Sequence, residues 1–206
     1  MTTTAARRPR RDALENRAGI IAAAQSVLAT DPNASLDAIA HAAGLSRRAL
    51  YGHFSDREAL LRAVIEVGAA RFNTIAEQVD HPDARVALAR LAADLWRAAS
   101  TVQASANIAL DDAHVADTVR ALAPLRRRVR DLVERGCADG AFRADVPPEL
   151  LGFLIEETAR ATLRELPAET PDAASVVVRV VLSVSGLSWT EQAGLLAAHP
   201  GIVEER

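Results

Sequence analysis

The chain has 206 residues, half of them hydrophobic and a quarter charged, with a formal net charge of −3. That length holds one full core, or a small module joined to a larger one, and that composition excludes a disordered or fibrous chain. No run approaches the roughly 18–20 uninterrupted apolar residues that a bilayer-spanning helix requires, so no membrane partner is expected.

Only 3% of the residues are aromatic, and alanine is abundant. Alanine and leucine are the residues a helix accommodates most easily, which makes an all-α fold the first expectation. The basic N-terminus has no apolar stretch behind it and does not read as a secretory signal, so a cytoplasmic location is expected. Cys137 is the single cysteine; it excludes an intrachain disulfide and reads as a small core hydrophobe. Every cationic side chain other than histidine is arginine. Residues 1–60 hold eight arginines against six acids, whereas residues 61–206 hold sixteen against twenty-one. A basic end on an acidic body points to one end meeting a polyanion.

In chain order, residues 1–11 form a flexible basic arm. A helix begins near Asp12, with Leu14, Ile20, Ile21, Ala24 and Leu28 at helical spacing, and stops at Asp31-Pro32-Asn33. Ser35 caps a short helix Leu36–Ala43, which Gly44 ends. Ser46 caps a second short helix, Arg47–His53, and Asp56 caps a long fourth helix running to about Val79. Further helices are expected at about Asp83–Thr101, Ala104–Asp112, Leu122–Ala138, Pro148–Leu166, Asp172–Ser185 and Thr190–Ala198. The valine-rich stretch resembles a strand, but Val177, Val180, Val181 and Val184 fall at i, i+3, i+4 and i+7, so it reads as a helix. The functional boundary falls near residue 56.

Three helices in the first part of the chain, the second and third joined by Gly44-Leu45, fit a helix-turn-helix. The turn needs positive φ, which glycine supplies. Ile39, Leu45, Leu50 and Phe54 are spaced to knit the second and third helices together. The third helix is too short to be stable alone, so its neighbours must hold it. Arg47, Arg48, Tyr51 and His53 then remain on a polar side available to a groove. The plain alternative is a solvated face on a generic helical bundle.

The stretch Ile39 to Leu61, with Gly44-Leu45-Ser46, Tyr51-Gly52-His53-Phe54 and Arg57-Glu58-Ala59-Leu60, resembles the N-terminal signature of the TetR family of transcriptional regulators. Arg57 stands where that family often has lysine, and Gly52 where many members have a larger residue. A weaker similarity, at Gly140-Ala141-Phe142-Arg143 to Glu149, lies where the family enters its dimerisation helices. The resemblance implies an N-terminal DNA-binding domain (residues 12–56) followed by a larger effector-binding and dimerisation domain (57–206), about nine or ten helices in all. It implies that Ser46 meets a phosphate and that Arg47 and Arg48 probe base edges. Tyr51, His53, Arg57, Ser35 and Arg10 or Arg11 would contact phosphates.

It also implies a small-molecule pocket in the acidic body, where Phe72, Trp96, Asn107 and Phe153 are candidates, although aromatics at helical spacing also serve as ordinary core. With so few aromatics, alanine, leucine and valine would wall such a pocket and suit an apolar effector. Leu151, Leu154, Ile155 and Thr158 form one apolar stripe, and Val177, Val180, Val181 and Val184 another. Two such helices from each subunit would make a four-helix homodimer interface.

Other clusters carry less. Arg126-Arg127-Arg128 with Arg130 reads as a solvated face, because Asp131 and Glu134 follow. Asp111-Asp112-Ala113-His114 lacks a second His or Cys at ligand spacing, so no metal is expected. No phosphate-binding loop, nucleophile elbow or metalloprotease motif is present, so neither enzymatic activity nor a cofactor is expected. The function expected is a ligand-responsive repressor that binds a palindromic operator in double-stranded DNA as a dimer, with helix four as the lever between effector and DNA. Two alternatives stay open: a small-molecule-binding protein with a vestigial helix-turn-helix, and a helical enzyme on the same scaffold.

Overall fold

The computed structural model describes residues 8–100, 114–167 and 170–204, with side chains from residue 13 onward. Within them every regular element is helical. The elements are α1 (Arg8–Thr30), α2 (Leu36–Ala42), α3 (Arg47–His53), α4 (Arg57–Gln78), α5 (Ala84–Ser100), α6 (Val115–Ala121), α7 (Ala123–Ala138), α8 (Pro148–Glu165), α9 (Ala173–Val184), α10 (Trp189–Ala198) and a 3₁₀ turn (Pro200–Ile202). The first helix begins at Arg8 rather than near Asp12. Pro9 does not prevent this, because in a first turn its missing N–H has no intrahelical partner to lose. The seven-residue α6 adds to the helices expected, since so short an element shows no hydrophobic period. The helix expected at 104–112 lies outside the described residues.

The described residues divide into two compact units, one of residues up to 68 with 114–118, the other of residues 69–100 with those from 119 onward. In the first, α1 packs on α2 and α2 on α3. Its core joins Ile20, Ile21, Ala24 and Leu28 of α1 to Ile39, Leu50 and Phe54, and to Leu60, Leu61 and Val64 of α4. Burying each large aliphatic contributes about 1.5–3 kcal/mol, which holds short helices that would not persist in water alone.

In the second unit α5 is buried on nearly every side and packs against α7, α8 and α9. Its alanines, among them Ala87, Ala89, Ala92 and Ala93, keep the neighbouring axes close. The valine-rich segment is helical, with Val177, Val178, Val181 and Leu182 buried. Gly136, in the last turns of α7, has the Phe142 ring packed onto it where a side chain would otherwise stand. Gly140, at φ 68°, reverses the chain between them.

Candidate nucleic-acid interface

The geometry of α2 and α3 follows from three caps and one glycine. The Ser35 Oγ accepts from the Ala38 N–H at 3.1 Å, and the Ser46 Oγ from the Ala49 N–H at 3.2 Å. The α2 helix ends in a Schellman turn: Gly44 N–H donates to the His41 carbonyl and Leu45 N–H to the Ala40 carbonyl. Gly44 takes the left-handed conformation there, at φ 68°. The Asp56 carboxylate then caps α4, accepting from the Ala59 N–H at 2.7 Å. That bond, and next the Ser55 hydroxyl, hold the Asp56 pKa below the ordinary carboxylate range.

This frame fixes which side of α3 meets solvent. Leu50 and Phe54 are buried in the first unit's core, while Ser46, Arg47, Arg48 and Tyr51 are exposed and His53 is half-buried. The Arg17 guanidinium of α1 lies over the Phe54 ring, 5.1 Å from its centroid. Arg47 reaches back to α2, where its Nη1 donates to Asp37 Oδ2 at 2.9 Å, and its Cζ stands 5.5 Å from the Tyr51 ring centroid. Tyr51 first, and the Asp37 carboxylate next, raise the Arg47 pKa above its already high ordinary value.

Arg57 is engaged inside the protein. Its guanidinium donates to the carbonyl oxygens of Ala34 and Pro32 in the turn before α2, the latter at 2.6 Å. Its side chain, expected to reach a phosphate, thus ties α4 to the α1–α2 turn. Arg10 and Arg11 lie at the start of α1, with side chains outside the described residues. Sequence reasoning also missed the contact of His114 Nε2 with Glu58 Oε2 at 3.1 Å, between residues 56 apart. The imidazole is buried, and its Nδ1 has no hydrogen-bond partner among the described residues. No spacing rule could have joined the two.

Residues 20–64 match the model of a family described as bacterial regulatory proteins, tetR family. This segment is similar to that family's DNA-binding part. Among solved structures, the regulator RolR in complex with resorcinol is 20% identical, with a TM-score of 0.68, over 95% of this chain and 98% of that one. PfmR, a TetR-family transcriptional regulator from Thermus thermophilus, is 21% identical, with a TM-score of 0.69, over 82% of this chain and 98% of that one. FadR from Bacillus subtilis, in complex with stearoyl-CoA, is 16% identical, with a TM-score of 0.70, over 82% of this chain and 97% of that one. At these identities the likeness establishes a TetR-type fold. No curated protein sequence matches the chain.

The remaining candidates lie in the second unit. Trp96 is buried in its core and Phe72 packs partly buried against the same cluster. Asn107 lies outside the described residues. Phe153, expected in a pocket, is 49% exposed on α8 and faces solvent beside Leu150 and Leu154. Of the two apolar stripes, Leu151, Ile155, Val177 and Val181 are buried in the chain's own core, where no second copy can reach them. Leu154 is exposed, and Thr158, Val180 and Val184 are half-buried. The helical period holds, but the uncovered side lies further round each helix than the stripes suggest, because a stripe pattern does not say which neighbour covers it.

The arginine cluster of α7 is also more structural than a solvated face. Arg126 Nε donates to Glu156 Oε2 at 2.7 Å, and Arg128 Nη2 to the Val79 carbonyl at 2.7 Å, while Arg127 and Arg130 are exposed. Among the described residues no three metal-binding side chains come together, and no helix is long and apolar enough to cross a membrane.

Proposed function

We propose that this chain is a cytoplasmic, ligand-responsive repressor that binds a palindromic operator as a homodimer. One observation carries the reading: α3 turns its apolar side into the core, and its arginines and tyrosine to solvent, on a frame fixed by Ser35, Gly44, Ser46 and Asp56. A short helix held this way is a rigid reader, and two copies related by a two-fold axis seat in successive major grooves. Arg48 reads a base edge, Ser46, Tyr51 and His53 meet flanking phosphates, and Arg10 and Arg11 at the start of α1 add backbone contacts. Ser35 adds a further phosphate contact at the start of α2.

Residues 57–206 supply the effector and dimerisation functions. The dimer forms on exposed Leu150, Phe153 and Leu154 of α8, continued by Thr158 and by Val180 and Val184 of α9, a set that a solvated monomer has no reason to leave uncovered. RolR is known with resorcinol and FadR with stearoyl-CoA, which supports an organic effector with an apolar portion for this fold. The effector acts by shifting the population of DNA-competent dimers, with α4 as the element shared by both functions.

The test is fluorescence anisotropy with duplexes from the DNA flanking the chain's own coding region, across a salt series. Nanomolar-range binding to one fragment, weakening steeply with salt, supports the reading. Binding of no duplex, at any salt, would leave a helix-turn-helix without a DNA function and contradict it.

A further inference from the structure

The exposed side of α3 carries two adjacent cations in different circumstances. Arg47 is tied to Asp37 at 2.9 Å and lies against Tyr51. Arg48 makes no hydrogen bond or ion pair among the described residues. Asp37 projects from the first turn of α2 and its side chain is 54% exposed, that of Arg47 66%, so the pair stands on the protein surface. An exposed pair of this kind adds little to folding stability. Its consequence lies with a polyanion: a carboxylate beside the reading helix cancels one cation and repels phosphate.

We propose that Asp37 is a specificity-determining residue, which holds Arg47 out of phosphate contact so that Arg48 alone supplies the reading cation of α3. The inference rests on the DNA-binding role proposed above. Arg47 is then a positioning residue: stacked against Tyr51 and anchored on α2, it orients the tyrosine and leaves the counterion-release attraction to other arginines. A repulsive group on a binding face lowers affinity for every duplex, and the correct site alone recovers the loss through Arg48. Selectivity rises because the non-specific contribution falls.

The experiment measures affinity against salt for a mixed-sequence duplex and for a genomic fragment retained by the full chain. Four forms are compared: unsubstituted, Asp37→Asn, Arg47→Ala and the double variant. Freed by Asp37→Asn, Arg47 reaches phosphate, so affinity for the mixed duplex rises several-fold and the salt slope steepens by about one. Selectivity for the retained fragment falls. Arg47→Ala leaves the slope unchanged while Asp37 is present and lowers it by about one in the Asp37→Asn background. Asp37→Glu keeps the original slope. Unchanged melting temperatures separate these effects from misfolding.

A slope that Asp37→Asn does not move, with binding otherwise intact, overturns this inference and leaves the DNA-binding role standing. So does a slope that falls by about one for Arg47→Ala alone, since Arg47 would then already touch phosphate. Absence of salt-dependent binding by the unsubstituted chain overturns both.

Discussion

Arg57, at the first position of α4, donates to the backbone carbonyl of Pro32 at 2.6 Å and shares its guanidinium with the nearby Ala34 carbonyl. These residues lie just before the start of α2, so one planar fork fixes where Ser35 places its cap. Lysine carries the same charge but offers a point, not a fork. Arg57→Ala is expected to destabilise the first unit by about 1–2 kcal/mol, the usual worth of hydrogen bonds from a charged donor with partial exposure. Arg57→Lys should recover less than half. Urea titration followed by circular dichroism measures both, and an Arg57→Ala variant as stable as the parent would show that the fork holds nothing.

Gly136 illustrates a glycine retained for space. Alanine is ordinarily the better helix former, by up to about 1 kcal/mol. Here its Cβ would collide with Cδ2 and Cε2 of the Phe142 ring. Gly136→Ala should therefore destabilise the second unit by about 1–3 kcal/mol through overpacking. Gly136→Ala combined with Phe142→Leu should recover part of that loss. Thermal melting decides the sign: a raised melting temperature for Gly136→Ala would show that the ring moves aside without penalty.

The cap at Asp56 gives the first unit a pH dependence with a definite sign. Backbone donation from Ala59, and then the Ser55 hydroxyl, depress the folded-state pKa, so the unfolded chain binds the proton more readily. The contribution is fully present above the ordinary carboxylate range and is lost as pH falls through the depressed value. Asp56→Asn keeps a capping oxygen but cannot titrate, so the gap in melting temperature between parent and variant should close on acidification. A gap that stays constant from neutral to acidic pH would assign no linkage to this carboxylate.

The exposed apolar face of α8 makes a prediction about assembly. Phe153 and Leu154 are 49% and 39% exposed, whereas their neighbour Leu151 is wholly buried. Leu154→Arg should yield a folded monomer, seen as a halved mass in light scattering with an unchanged helical spectrum. Leu151→Arg should instead unfold the second unit. A Leu154→Arg variant that remains dimeric would place the subunit interface elsewhere.

The helix-turn-helix is legible in the sequence almost to the residue because its signals are local. Ser35, Gly44, Ser46 and Asp56 act on backbone groups a few residues away, and the expected bounds of α3, Arg47–His53, are those observed. The same reading places Arg57 at a phosphate, since nothing nearby in sequence announces two carbonyls more than twenty residues upstream. In the second unit, periodicity identifies α8 and α9, but Leu151, Ile155, Val177 and Val181 face their own core. Amphipathic spacing shows that a side is covered, and only tertiary packing shows by what. The contact of Glu58 with His114 lies beyond any pattern, because it depends on a return of the chain to the first unit.

In the proposed complex α3 reads each half-site through Arg48, with two copies related by a two-fold axis. Sequencing the genomic fragments retained by the purified chain, in parallel with those retained by Arg48→Ala, tests it directly. The parent's fragments should share inverted half-sites about one helical turn or a multiple apart. For the variant, base preference is lost at one position in each half-site while the remainder persists. Fragments with no shared inverted motif, or identical preferences for the two proteins, would contradict it.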